Sequence, residues 1–347
     1  MHMSRISLFS GGRGPRAAVA AFLLCTACDE SRLPLDPVEE PVEQIVDEVT
    51  DETTAAVDTA ADLEAFDFGA AVVVERRSSR PGLVFGSWGM SNEHLDQVHT
   101  GWMSGGAISP DNIMSRLKGA RARGGRVVIK LSRGSDRHVK NRDGSFSLTK
   151  WKALVSRYRK VNLGPYIKDG TIVGHYLIDE PHRTARWGGR GIPRKTLEEM
   201  ARYSKQLWPD MHTLVRVAPT WLAGAPFRWK HLDAGWAQYR ASHGDPKRWI
   251  ASETRAAEHE GLGLMVGLNV LDGGNGSSRI RGNSRRKWAM SASEIRKYGA
   301  ALLGSRRACG FFNWTHDSKY YRRSDIRSAM AEVSKRARAH ERTSCRQ

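Results

Sequence analysis

A closed (β/α)8 barrel, the TIM-barrel class, is the fold this sequence predicts, on three observations. From residue 81 onward short apolar runs alternate with amphipathic helical stretches, the pattern of βα units around a parallel sheet. Eight apolar runs can be distinguished, the number that closes a barrel of about 250 residues, and a chain of 347 residues has room for it. Neither Gly-x-Gly-x-x-Gly after the first run nor Gly-x-x-x-x-Gly-Lys-Ser/Thr occurs, which removes support from nucleotide-binding versions of the open, doubly wound parallel sheet, the alternative architecture.

Two segments precede the barrel. Residues 1–28 read as an export signal, with Arg5, Arg13 and Arg16 ahead of the apolar run Ala17 to Leu24, which is too short to span a bilayer as a mature helix. The run closes on Leu24-Cys25-Thr26-Ala27-Cys28, which resembles a bacterial lipoprotein processing site with Cys28 as the lipidated residue. An ordinary signal peptide is the alternative. Both readings place the mature protein outside the cytoplasm, in the lipoprotein case anchored to a membrane at the cell envelope. Residues 29–80 read as an acidic disordered tether, with a short helix allowed near Thr54 to Phe66.

Charge follows the same division. The whole chain carries +18, yet residues 29–67 hold 14 acidic residues against the single basic Arg32, so residues 68–347 carry +28 once the three signal arginines are set aside. A body this basic attracts polyanions at low salt. Export and the lack of a recognised nucleic-acid-binding motif argue against nucleic acid and for another polyanion.

Within residues 81–347 the first strand is Leu83 to Trp88, and a weak second lies at His99 to Met103. Ser109-Pro110-Asp111 opens a helix running to about Arg123, with cap and proline where a helix start wants them. Strands follow at Arg126 to Ser132, Thr171 to Asp179, His212 to Ala218, Leu232 to Tyr239, Leu264 to Leu271 and Gly310 to Trp314. Helices are expected near Leu148 to Val161, Arg194 to Leu207, Pro246 to His259, Ser291 to Leu303 and Ser324 to Ala339. The helix at Ser291 begins with the capping box Ser291-Ala292-Ser293-Glu294.

Barrel strands are buried on both faces, so polar residues inside them carry information. Lys130, His175, Arg216, Gln238, Asn269 and Asn313 interrupt strands three to eight in turn. The fourth strand ends in two adjacent acids, Asp179 and Glu180, then Pro181. By the alternation of side chains His175, Leu177 and Asp179 share one face, which places the polar set at the C-terminal mouth if that face points inward. Trp88, Trp102, Trp221, Trp236, Tyr239 and Trp314 gather at the same ends, and aromatic faces beside polar groups suit sugar rings.

With those residues in place the chain resembles the (β/α)8 glycoside hydrolases. In their large retaining clan the fourth strand ends in Asn-Glu-Pro, with the Glu as acid/base, and the eighth carries a sugar-binding tryptophan. Asp179-Glu180-Pro181 and Phe311-Phe312-Asn313-Trp314 match, with Asp in place of Asn. The resemblance implies Glu180 as general acid on a polysaccharide and no cofactor. It departs at the seventh strand, where the clan's nucleophilic Glu is missing and Asp272 is the only carboxylate; a retaining enzyme needs a gap of about 5 Å between the two acids. A wider gap implies inversion, with Asp272 or Asp317 activating water. In β-hexosaminidase-like families an adjacent Asp-Glu pair acts without an enzyme nucleophile, the Asp orienting the substrate's acetamido group, which implies that role for Asp179. Like-charged neighbours raise a carboxyl pKa, which suits Glu180 to proton donation.

The stretch Gly273 to Trp288 is long and basic, and Arg279, Arg281, Arg285 and Arg286 either grip an acidic polysaccharide or are simply solvated. No metal is implied, since His175, His182 and His316 fit no zinc spacing. Cys309 and Cys345 form a disulfide, as export allows, or stay free. The expectation is an exported glycoside hydrolase; the rival is a non-catalytic carbohydrate- or polyanion-binding lipoprotein on a degenerate glycosidase barrel.

Overall fold

Eight parallel strands run in chain order: β1 (Phe85–Ser87), β2 (Gly101–Met103), β3 (Arg126–Ile129), β4 (Ile172–Asp179), β5 (Thr213–Arg216), β6 (Ala234–Tyr239), β7 (Gly263–Leu268) and β8 (Ala308–Asn313). The computed structural model describes residues 82–104, 108–341 and 344–345. Each strand from β2 to β7 pairs with its successor, and β8 pairs with β1 through Phe85 with Phe311, Gly86 with Phe312 and Ser87 with Asn313. That last pairing makes the sheet a nearly closed barrel and overturns the open-sheet alternative. The signal segment, Cys28, the acidic tether and the helix considered near Thr54 lie outside the described residues.

The seam between β1 and β2 is the thinnest part of the wall. It is held by the single parallel bridge Trp88 to Met103, by Thr100 N donating to Phe85 O at 2.9 Å, and by Gly89 N donating to Met103 O at 3.2 Å. Close approach there depends on glycine. A Cβ on Gly86 would lie 2.0 Å from the Gly101 carbonyl oxygen, and one on Gly101 would lie 2.2 Å from that of Arg126. We expect Gly86→Ala to cost about 1–3 kcal/mol by forcing the wall apart. A urea midpoint equal to that of the parent chain would show that the seam has slack.

The helices are α1 (Ile113–Ala122), α2 (Leu148–Ser156), α3 (Gly164–Lys168), α4 (Arg194–Leu207), α5 (Pro219–Leu222), α6 (Pro246–Glu260), α7 (Ala292–Leu302), α8 (Ser318–Tyr321) and α9 (Ser324–Arg338). Ser109 to Asp111 form a turn, and α1 starts only at Ile113. The stretch expected as one helix to Val161 stops at Ser156, and Gly164 and Pro165 open the separate α3. The Ser291 capping box forms as its spacing predicts, with Ser291 Oγ accepting from Glu294 N. Among the described residues no helix is long and apolar enough to cross a membrane.

Burial has two layers. The larger lies between sheet and helices and includes Phe85, Ile129, Leu177, Trp151, Trp187 and Ile295. The smaller fills the barrel with Val84, Met103, Val128, Tyr176, Leu214, Trp236, Met265 and Phe312. Its lower end is closed by the disulfide between Cys309 at the start of β8 and Cys345 of the C-terminal tail. Ser344 extends that closure, its hydroxyl lying 2.9 Å from His212 Nε2.

Candidate active site at the barrel mouth

Strand parity decides which predicted residues reach the mouth. On β6 Trp236 belongs to the interior layer and Gln238 follows it by two, so Tyr239 turns outward, where its ring packs on Trp249 and Tyr298. On β8 Phe312 and Trp314 face in, and Asn313 turns out to Met330 of α9. On β4 Tyr176 faces in and His175 faces out, its Nδ1 2.9 Å from Ser204 of α4 and its ring stacked on Trp151 of α2. Complete burial pushes the His175 imidazole down to about 3. His175, Tyr239 and Asn313 are therefore corrected from mouth residues to braces between sheet and helices. Trp102 is likewise buried in the outer layer.

Asp179 nevertheless faces in, because the register of β4 against β5 shifts between Tyr176 and Asp179. The irregularity puts Leu177 and Ile178 both in the outer layer and returns Asp179 to the side of Tyr176. The expected shared face of His175, Leu177 and Asp179 is thus broken by one bulge. Glu180 follows with φ +40, a left-handed backbone that is uncommon for a residue with a Cβ.

Arg216, at the end of β5, spans both acids. Its Nη1 donates to Asp179 Oδ1 at 2.8 Å and its Nη2 to Glu180 Oε1 at 3.1 Å. Arg186 reaches Asp179 Oδ2 at 2.8 Å and Glu180 Oε2 at 3.3 Å while its Nε donates to Asp136 at 2.5 Å. Arg183 Nη1 donates to Glu180 Oε2 at 2.8 Å, and the Tyr176 hydroxyl donates to Asp179 Oδ1 at 2.9 Å. Only 5% of the Asp179 side chain and 10% of those of Glu180 and Arg216 is exposed, so these are low-dielectric contacts.

The arginines decide the protonation states. Burial alone would raise the Asp179 carboxyl, but Arg216, Arg186 and Lys130 hold it below the ordinary carboxylate range. Burial and the Asp179 charge both push Glu180 up, and the Arg216 guanidinium together with the hydrogen bond from Arg183 outweighs them. The expected upward shift of Glu180 by its acidic neighbour is real as a contribution and reversed in the sum. Both groups are carboxylates at neutral pH.

Around this cluster stand the aromatics. Trp88 and Trp314 lie with ring centroids 5.3 Å apart, Trp88 meets Tyr176 at 5.6 Å, and the Arg216 guanidinium carbon sits 4.7 Å from the Trp314 ring centre and 5.6 Å from that of Trp236. Lys130, at the end of β3, donates to Gly134 O and lies 5.7 Å from the Trp88 ring. Gln238 Oε1 accepts from Arg216 Nη2 at 3.1 Å. The buried donors Gln238 Nε2 and Trp236 Nε1 have no hydrogen-bond partner among the described residues. Trp221 lies farther out, 6.1 Å from the His182 ring.

The other predicted carboxylates have different work. Asp272 accepts from the backbone N and the hydroxyl of Ser284, both at 2.9 Å, and so ties the loop after β7 together. Asn269 Oδ1 accepts from Asp272 N at 3.0 Å. Asp317 caps α8, accepting from Tyr320 N. Among the described residues no group of three or more His, Cys, Asp or Glu is placed to hold a metal ion.

Sequence reasoning missed Arg183, Arg186, Asp136 and Tyr176. A signal for the arginines was present: a cation three and six residues after Glu180, in the turn that continues as a 3-10 helix over Thr184–Trp187, folds back onto the acids. Asp136 comes from the loop after β3, and nothing local marks it.

No protein-family model matches this chain, and no curated protein is significantly similar to it in sequence. Solved structures do match. A β-glucanase from Saccharophagus degradans superposes with TM-score 0.53 at 10% identity over 74% of this chain and 88% of its own. An endo-β-1,4-mannanase from Thermotoga petrophila gives TM-score 0.47 at 13% identity, covering 75% of this chain and 77% of its own. The catalytic domain of the major endoglucanase of Xanthomonas campestris gives 0.46 at 11%, covering 75% and 98%. At the β-glucanase's level of identity the likeness establishes architecture, and the chain is accordingly a (β/α)8 barrel of the kind on which that glycosidase is built.

Proposed function

We propose that the barrel recognises carbohydrate at its C-terminal mouth and holds it there without cleaving it. The observation that carries this is the Arg216 fork bound to both Asp179 and Glu180 beside the half-buried Trp88 and Trp314. Tryptophan faces take the C–H faces of a sugar, while fixed carboxylates, Gln238 and Arg216 order its hydroxyls. A general acid must carry a proton at working pH, and Glu180 is kept ionised by three hydrogen-bonded arginines. Asp272 accepts two hydrogen bonds from Ser284, which tie it into the loop after β7.

Hydrolysis with Glu180 as general acid is the second reading. It is favoured by the left-handed backbone at Glu180, since strain of that kind concentrates at working sites. It requires substrate to draw Arg183, Arg186 and Arg216 away, so that burial can raise the Glu180 pKa. The test is a panel of chromogenic glycosides and polysaccharides offered to the protein and to Glu180→Gln. Binding without turnover is expected; turnover lost in Glu180→Gln would overturn the binding reading and establish the acid.

Export by residues 1–28, with an anchor at Cys28 fixing the protein to the cell envelope, belongs to the same proposal. The Cys309–Cys345 disulfide supports it, because such bonds persist in oxidising compartments.

A further inference from the structure

Resting on the carbohydrate reading, we infer that the ligand is a carboxylated polysaccharide, a polymer of uronic acid units rather than a neutral glycan. The charge count at the mouth points there. Asp179, Glu180 and Asp136 are already met by Arg216, Arg186 and Arg183, with Lys130 3.8 Å from Asp136. Arg240 then follows the end of β6 as a further cation, exposed, and none of the ion pairs among the described residues includes it. By the alternation that turns Tyr239 outward, Arg240 falls on the side of Trp236 and Gln238, and its Cβ lies against Gly273.

The loop after β7 continues the cationic rim. Arg279, Arg281, Arg285, Arg286 and Lys287 are all exposed, and Arg281 lies 4.2 Å above the Trp288 ring. That loop packs beside Arg240: Ala241 N donates to Gly273 O at 2.8 Å, and Asp272 contributes to the field at Arg240. Inside the rim, Gln238 Nε2 is a buried donor without a hydrogen-bond partner among the described residues.

This floor and rim discriminate between anions. A uronate ring offers one planar carboxylate, which a guanidinium outside the ion pairs, such as that of Arg240, matches, amid several hydroxyls that need acceptors. Asp179 Oδ2 and Glu180 Oε1 each carry one arginine contact and keep a lone pair for such a hydroxyl. A nucleic acid presents a phosphate at every unit and few hydroxyls, so it would use the cationic rim and leave the hydroxyl-binding side of the site without a partner. The carboxylated sugar uses both halves of the site.

The experiment is calorimetric titration of the full chain with oligogalacturonides, their methyl esters, cello-oligosaccharides and single-stranded DNA, in parent and Arg240→Gln forms. Expected is tightest binding to the free acid, about tenfold or more weaker binding to the methyl ester, and a comparable loss for the acid alone in Arg240→Gln. Arg281→Gln is a second variant, on the loop, with a smaller loss expected. Equal binding of acid, ester and neutral glycan would overturn the carboxylate inference and leave the carbohydrate reading standing. Failure of every saccharide would overturn both, and DNA as the sole binder would replace them with a polyanion site.

Discussion

Arg216→Ala is expected to destabilise the barrel by about 3–5 kcal/mol, because removing one partner of a buried ion cluster leaves uncompensated charge behind. Arg216 spans Asp179 Oδ1 and Glu180 Oε1, as Arg186 spans their other oxygens, and it also contacts Gln238 and lies against Trp236 and Trp314. The effect carries a pH signature. In the parent chain both carboxyls have folded pKa values below their unfolded ones, so their contribution to stability is present above the ordinary carboxylate range, about pH 4, and is lost as pH falls through the lowered values. In the variant, burial and mutual repulsion act with less opposition and raise those pKa values. A group raised on folding favours the folded state as pH falls, so the gap between parent and variant should narrow from pH 7 toward about pH 4.5. Urea unfolding at both pH values measures it. A gap below about 1 kcal/mol, or one that does not change with pH, would mean that Arg216 does not hold the acids ionised. Arg216→Lys should fall between the two, keeping the charge and losing the fork.

Replacing both Cys309 and Cys345 by alanine is expected to cost about 4 kcal/mol, the chain-entropy value for a bond that closes a loop of this size, here a sequence separation of 36. Cys345 is buried with Cys309 in the interior layer, and its backbone lies against Gly263 at the start of β7. Without the bond the tail must hold its place by packing and by polar contacts such as that of Ser344 with His212. Denaturant midpoints of parent and double variant, with and without reductant, test this. Reductant should bring the parent down to the variant and leave the variant unmoved. Coincident midpoints under oxidising conditions would show that the tail contributes nothing to the barrel.

Much of the fold was legible because it follows from burial. Strands covered on both faces write continuous apolar runs, and even the three-residue β2 left one around Trp102. The short helices α3, α5 and α8 left no period to read, being four or five residues long. The site was legible in residue type and only partly in direction. Gln238 with Tyr239, and Asn313 with Trp314, are adjacent pairs, and alternation allows only one of each pair into the barrel. The bulge that returns Asp179 inward has no mark in the residues themselves, since Leu177 and Ile178 are apolar like the strand around them. Arg183 and Arg186 were missed because a charge in a loop looks solvated until the fold brings it home.

The first strand and the last helix meet at the same end of the barrel, where Leu83 N donates to Ala337 O at 2.7 Å and Gly82 packs against Arg338. Geometrically the barrel is therefore a ring of eight units with an arbitrary cut. A short linker from the end of α9 to Gly82, with a new opening in the exposed stretch Arg285 to Lys287, gives a circularly permuted chain of unchanged wall order. In such a permutant the basic loop becomes a pair of free ends, and the rim can be rebuilt without disturbing a single strand pairing.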